Sequence, residues 1–157
     1  LHHFHYTLGG GSMFALFAAL FYWFPKMTGA RLREGMGRIT FWLLFVGFNL
    51  TFLPMAFMGL EGMPRRVATD PSVVDLTGLN ALETAGAGLM AIGVILFAVN
   101  VVVSLRKREP AGDNPWDGYS LEWATTSPPP EFNFHKLPPI RSERPVWDAA
   151  RAEAGGT

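Results

Sequence analysis

The sequence predicts an all-α membrane protein in which three transmembrane helices lead into an irregular, proline-rich tail. Two observations carry that prediction. Of the 157 residues, 49% are hydrophobic and 13% aromatic, while only 17% are charged. The apolar residues are also concentrated. Tyr6–Phe24, Ile39–Leu60 and Ala85–Leu105 run 19, 22 and 21 residues without one Asp, Glu, Lys or Arg, and a helix of roughly 20 apolar residues crosses a bilayer core. A helix on a soluble domain keeps a polar face, whereas these runs are apolar all round apart from Thr, Ser and Asn. The 13 cationic and 13 acidic residues cancel, which excludes a nucleic-acid partner, because neutralising phosphates takes a surplus of Lys and Arg. With no cysteine in the chain, disulfides, thiolate-held zinc, iron–sulfur clusters and copper–thiolate centres are excluded as well.

The first span covers about residues 4–24 and closes at Phe24-Pro25. The chain starts at Leu1 with no basic stretch ahead of the apolar run, so a signal peptide is a poor reading and a missing N-terminus is expected. Loop 25–38 carries Lys26, Arg31, Arg33 and Arg38 against Glu34 alone. The second span, 39–60, contains Pro54, which removes a backbone donor and is expected to bend the helix between Asn49 and Pro54. In lipid such a bend survives where neighbouring helices cover the freed carbonyl, which puts this span inside a larger bundle.

Loop 61–79 holds Arg65 and Arg66, and Asn80 with Glu83 three residues on reads as a helix start, an Asn variant of the capping box. The third span, about 82–105, stops at Arg106-Lys107-Arg108. Four cations in loop 25–38 and three in that stop share one side, against two in loop 61–79. The positive-inside rule then makes loop 25–38 and the tail cytoplasmic, and places residues 1–5 and loop 61–79 outside. The chain divides into a membrane region, 1–108, and a tail, 109–157. In the tail, Pro110, Pro115, Pro128-Pro129-Pro130 and Pro138-Pro139 favour extended segments, draped on the cytoplasmic side and held by Trp116, Trp123 and Trp147.

The cluster that could carry chemistry is His2, His3, Phe4, His5 at the outer end of span one. Neutral imidazole is a common metal and haem ligand, and a histidine at membrane depth calls for such a partner. On a helix, His3 and His5 are rotated about 200° apart, so they face opposite sides and suit two separate metals better than one shared ion. An interfacial polar cap, or the remnant of a purification tag, is the competing reading. Arg65 and Arg66 fall on the same side and are placed to pair with anionic groups such as haem propionates through their planar donor forks, with lipid headgroups as the ordinary alternative. Gly9, Gly10, Gly11 and Ser12 follow no strand, so close packing explains them better than a phosphate loop. The groups Phe21-Tyr22-Trp23-Phe24 and Phe41-Trp42 read as interfacial anchors. Asn49, Thr51 and Asn100 read as interhelical hydrogen-bonders.

Three stretches together closely resemble a known family: His-Phe-His-Tyr at 3–6, FNLTFLPMAFMGLEGMPRR at 48–66 and NPWDGYSLEWATTSPPPEFNF at 114–134. They resemble the last three core helices and the cytoplasmic tail of subunit I of bacterial haem-copper cytochrome c oxidase, a bundle of roughly twelve transmembrane helices. The resemblance covers nearly the whole chain. It implies that His3 ligates the high-spin haem iron, that His5 ligates the low-spin haem iron, that Phe4 lies between the haems, and that Arg65 and Arg66 hold their propionates. It further implies two haems, of the a type, and oxygen reduction to water with electrons from cytochrome c, coupled to proton translocation. The implied partners are oxidase subunits II and III, cytochrome c by way of subunit II, and the lipid bilayer of the bacterial plasma membrane. Two departures from the family pattern stand out. His2 replaces a small residue, which leaves a slipped ligand assignment to His2 open, and Met55-Ala56 replaces a pair that often includes histidine. The copper ligands and the second low-spin haem ligand belong to helices this chain does not contain, so the chain alone is expected to be inactive. The rivals are a quinol oxidase of the same superfamily, disfavoured by Tyr6 and Pro64, and a cofactor-free accessory membrane subunit.

Overall fold

A computed structural model describes residues 2–62, 77–134 and 137–154. Among these residues three helices are long and apolar enough to cross a membrane: α1, His2–Thr28; α2, Glu34–Leu60; and α3, Thr77–Lys107. No β-strand occurs among the described residues, only an isolated antiparallel bridge between Ala30 and Pro110. The all-helical membrane architecture is thus the one the charge-free runs imply.

The helices overrun those runs. α1 continues past Phe24-Pro25 to Thr28, because the ring of Pro25 removes one donor without ending the helix. The Thr28 hydroxyl bonds to the Phe24 carbonyl at 2.8 Å, and the Gly29 N–H, at φ +71°, closes the end on the Pro25 carbonyl at 2.7 Å. α3 already includes Thr77, so Asn80 sits within the helix and does not cap it; its carbonyl accepts from the Thr84 hydroxyl at 2.9 Å. α2 begins at Glu34 and runs on through the buried Pro54. Within α1, His5–Met13 is π-helical. The Thr7 hydroxyl bonds back to the carbonyls of His3 (2.8 Å) and Phe4 (3.4 Å), competing for the acceptors a regular turn would use. The bare backbone of Gly9-Gly10-Gly11 makes the wider turn sterically cheap.

The chain packs as two compact units, Leu1–Ala18 with Arg33–Val101, and Ala19–Leu32 with Val102–Thr157. The tail therefore groups with the end of α1 in the second unit. In the first unit, α2 and α3 meet through glycines. A Cβ on Gly47 would stand 2.8 Å from the Gly86 carbonyl oxygen, and one on Gly86 would stand 2.6 Å from Thr51 Oγ1, so the backbones approach where no side chain intervenes. Asn100, fully buried in α3, accepts from the Arg33 N–H and donates to the Arg33 carbonyl, both at 3.1 Å. A side chain of one helix thereby caps the start of another. Leu44, buried in α2, would meet a Cβ on Gly93 of α3 at 3.2 Å, while the buried Phe48 packs on α1, and Phe17 meets Phe97 edge to face at 5.0 Å.

In the second unit, Lys26 is 7% exposed, and its ammonium donates to the carbonyls of Asp113 (3.1 Å), Thr125 (2.7 Å) and Thr126 (3.4 Å). It also lies 5.0 Å over the Trp123 ring. Three N–H groups meet three acceptors, which is how a buried cation offsets lost hydration. Tyr22 receives two of the three tail tryptophans: Trp116 donates to its carbonyl at 2.9 Å and Trp123 to its hydroxyl at 2.8 Å. Trp116 and Trp123 do hold the tail, as their sequence positions imply. Among the described residues most of the tail is irregular, with two exceptions, a 3-10 turn at Leu121–Ala124 and a helix α4 at Pro145–Ala154. Pro145 opens α4, where its missing donor costs nothing, with Asp148 in the first turn and Arg151 in the last complementing the helix dipole.

Candidate cofactor-binding turn

The histidines lie on the first turns of α1, against α2. Inward positions recur as His2, His5 with Tyr6, Gly9 with Gly10, and Met13, while His3, Phe4, Thr7 and Leu8 are exposed. Three ties hold the inward stripe. His2 Nδ1 donates to the Phe52 carbonyl at 2.7 Å. The Tyr6 hydroxyl donates to Asn49 Oδ1 at 2.7 Å, and Asn49 in turn donates to the Phe45 carbonyl at 2.8 Å. Gly9 lets the Phe48 ring approach so closely that an added Cβ would stand 3.3 Å from it.

The two motif histidines behave differently. His3 is exposed, its ring 5.7 Å from that of His2 in an edge contact. His5 is half-buried, and its imidazole stacks on the Phe52 ring at 4.7 Å with only 12° between the planes. Phe4, 62% exposed, stands edge-on to His5 at 5.5 Å. The π-helical widening starts at His5, so the rotation from His3 to His5 falls from about 200° towards roughly 160°; either value leaves the rings on different sides of the helix. The described residues include no group of three or more His, Cys, Asp or Glu able to hold one ion together. What the turn offers is one imidazole on each of two sides.

Arg65 and Arg66 lie outside the described residues. Sequence reasoning missed Phe52, which touches His2 through its carbonyl and His5 through its ring, and for His2 it offered only a slipped ligand assignment. The i, i+4 spacing of His2 and Tyr6, whose rings are 4.6 Å apart, was the available signal that both face the neighbouring helix. Asn49 and Asn100 are hydrogen-bonders as expected, and Thr51 donates to the Gly47 carbonyl at 2.8 Å.

Fold and turn together define a multi-span helical membrane protein with imidazoles presented on two sides of one helix. The chain belongs to the family of cytochrome c and quinol oxidase polypeptide I, whose family model matches residues 1–89. It is 49% identical over 148 residues to a probable cytochrome c oxidase subunit 1-beta of Nocardia farcinica, covering 93% of this chain and 25% of that protein. It is 49% identical over 146 residues to cytochrome c oxidase subunit 1 of Bacillus subtilis, covering 92% and 24%. Against the Corynebacterium diphtheriae subunit 1 the identity is 50% over 148 residues, covering 93% and 26%. The chain therefore spans about a quarter of the length of the curated relatives it matches.

Proposed function

We propose that this chain supplies the last three core helices and the tail of the catalytic subunit of a terminal oxidase. That enzyme reduces oxygen to water with electrons from cytochrome c, coupled to proton translocation. The observation that carries the reading is the turn His3-Phe4-His5, with imidazoles on two sides of one helix, in a chain about half identical to proteins named cytochrome c oxidase subunit 1. In this reading His3 ligates the high-spin haem iron and His5 the low-spin haem iron, with Phe4 between the two haems. Arg65 and Arg66 hold the haem propionates, the haems are of the a type, and copper is held by residues outside this chain. The partners are oxidase subunits II and III, with cytochrome c reaching the enzyme through subunit II.

The donor set fits that group. An exposed imidazole beside exposed Phe4 and Leu8 suits a flat apolar macrocycle, and neutral imidazole is the usual axial ligand of haem iron. Bound haem supplies the electron-transfer and oxygen chemistry; the protein's part is orientation and electrostatic tuning. The stack on Phe52 fixes the plane of His5, and the tie of Tyr6 to Asn49 fixes the turn against α2. No Asp, Glu, Lys or Arg lies in Tyr6–Phe24 or Ile39–Leu60, so cations at the loop bear the task of balancing propionates, for which arginine has the matching fork. Residues 1–5 and loop 61–79 face the outer compartment, and loop 25–38 with the tail faces the cytoplasm.

The test uses the full-length subunit in its complex. His3→Ala and His5→Ala are each expected to remove one haem's absorption bands. Retention of both sets in either variant overturns the ligand assignment. In a redox titration, Arg65→Gln or Arg66→Gln is expected to move a haem potential, and unmoved potentials in both count against propionate pairing.

A further inference from the structure

We propose that His2 is a positioning residue, which locks the ligand-bearing turn to Phe52 and so sets the plane of the His5 imidazole. The inference rests on the reading of His5 as a haem ligand. A carbonyl only accepts, so the 2.7 Å contact requires a proton on His2 Nδ1. The ring behind that nitrogen packs on Tyr6 at 4.6 Å. His2 is therefore committed to the α2 side, whereas His3 is exposed, which argues against His2 as the slipped ligand.

The location of the tie gives it leverage. Tyr6 and Gly9, the other two ties to α2, lie inside the π-helical stretch His5–Met13, while His2 sits in the α-helical turn His2–Phe4 before it. A π-helical segment interrupts the regular i→i+4 ladder, and the ties inside it begin at Tyr6, beyond the turn His2–Phe4. His2 holds that turn directly, and it does so through the same residue whose ring stacks on His5. One residue of α2 thus references both ends of the motif. Second-sphere contacts of this kind orient a ligating imidazole and tune the metal.

The experiment compares three substitutions in the assembled full-length oxidase. His2→Asn places an amide N–H where Nδ1 stood; His2→Phe keeps a ring against Tyr6 but has no donor; His2→Ala has neither. Haem content is read from reduced-minus-oxidised spectra, and the His5 haem from its low-spin electron paramagnetic resonance signal and midpoint potential. The expected result is full haem content in all three. In His2→Ala and His2→Phe the low-spin signal broadens or splits and the potential shifts, and in His2→Asn the single signal returns. Unchanged signals in both Ala and Phe variants overturn the proposal, and so does loss of one whole haem in His2→Ala, which makes His2 a ligand. If His2→Ala does not assemble, the comparison of Phe with Asn decides alone. His3→Ala and His5→Ala controls that keep both haems defeat the ligand reading itself, a separate failure.

Discussion

At the scale of single residues, Lys26 and Gly86 are the positions where one atom matters most. Replacing Lys26 by Met keeps the stem and removes three hydrogen bonds from a charged donor, each worth about 1.5–3 kcal/mol, leaving the carbonyls of Asp113, Thr125 and Thr126 without that partner. Amide hydrogen exchange across residues 113–128 should rise many-fold in Lys26→Met, beginning at Ser127, whose N–H donates to Asp113 Oδ1 at 2.9 Å. Gly86→Val should be worse for the membrane helices than for the tail. Its Cβ would meet Thr51 Oγ1 at 2.6 Å and the Thr51 backbone nitrogen at 2.7 Å, and backbone cannot swing aside, so about 1–3 kcal/mol or more is lost. The check is a lowered melting midpoint of the purified complex in detergent. Neither role was legible beforehand. Lys26 counted only as one cation of a loop, since its acceptors lie 87 to 100 positions away in sequence, and a lone glycine in an apolar run does not say which helix it meets.

At the scale of elements, the three spans were legible because lipid imposes a length and forbids charge. Their ends were not, because caps depend on partners. Pro25 reads as a stop, yet Thr28 and Gly29 close the helix a turn later. Asn80 and Glu83 imitate a start, yet α3 is already helical at Thr77. α4 was hidden by the surrounding prolines, although Pro145 followed by Asp148 and Arg151 is the pattern of a short capped helix. The start of α2 depends on Asn100, so Asn100→Leu should leave the Arg33 N–H without its acceptor and the Arg33 carbonyl with the Gly37 N–H alone, and lower stability by about 1–3 kcal/mol. Thermal unfolding of the complex, compared with a substitution at the exposed Ile95, reads that loss. The turn at His3–His5 follows the same division: opposite sides follow from spacing, while Phe52 as the common neighbour of His2 and His5 needs the fold.

For the whole molecule, the largest prediction is the sidedness proposed from the charge pattern. The chain has no cysteine, so an introduced thiol is its sole reporter. A membrane-impermeant maleimide added to intact cells should label Glu61→Cys at the end of α2 and spare Gly112→Cys in the tail; the reverse pattern overturns the assigned orientation. The second compact unit has a further consequence, in the order of synthesis. Lys26 leaves the ribosome 87 residues ahead of Asp113 and 99 ahead of Thr125, an interval of roughly 5–20 s at usual elongation rates. Through that interval the ammonium at the end of α1 has none of its final acceptors, so water and lipid headgroups must serve until the tail arrives. Chains halted between Lys107 and Thr125 carry all three spans and still leave this amine short of its full set of acceptors, so its burial is completed only after insertion.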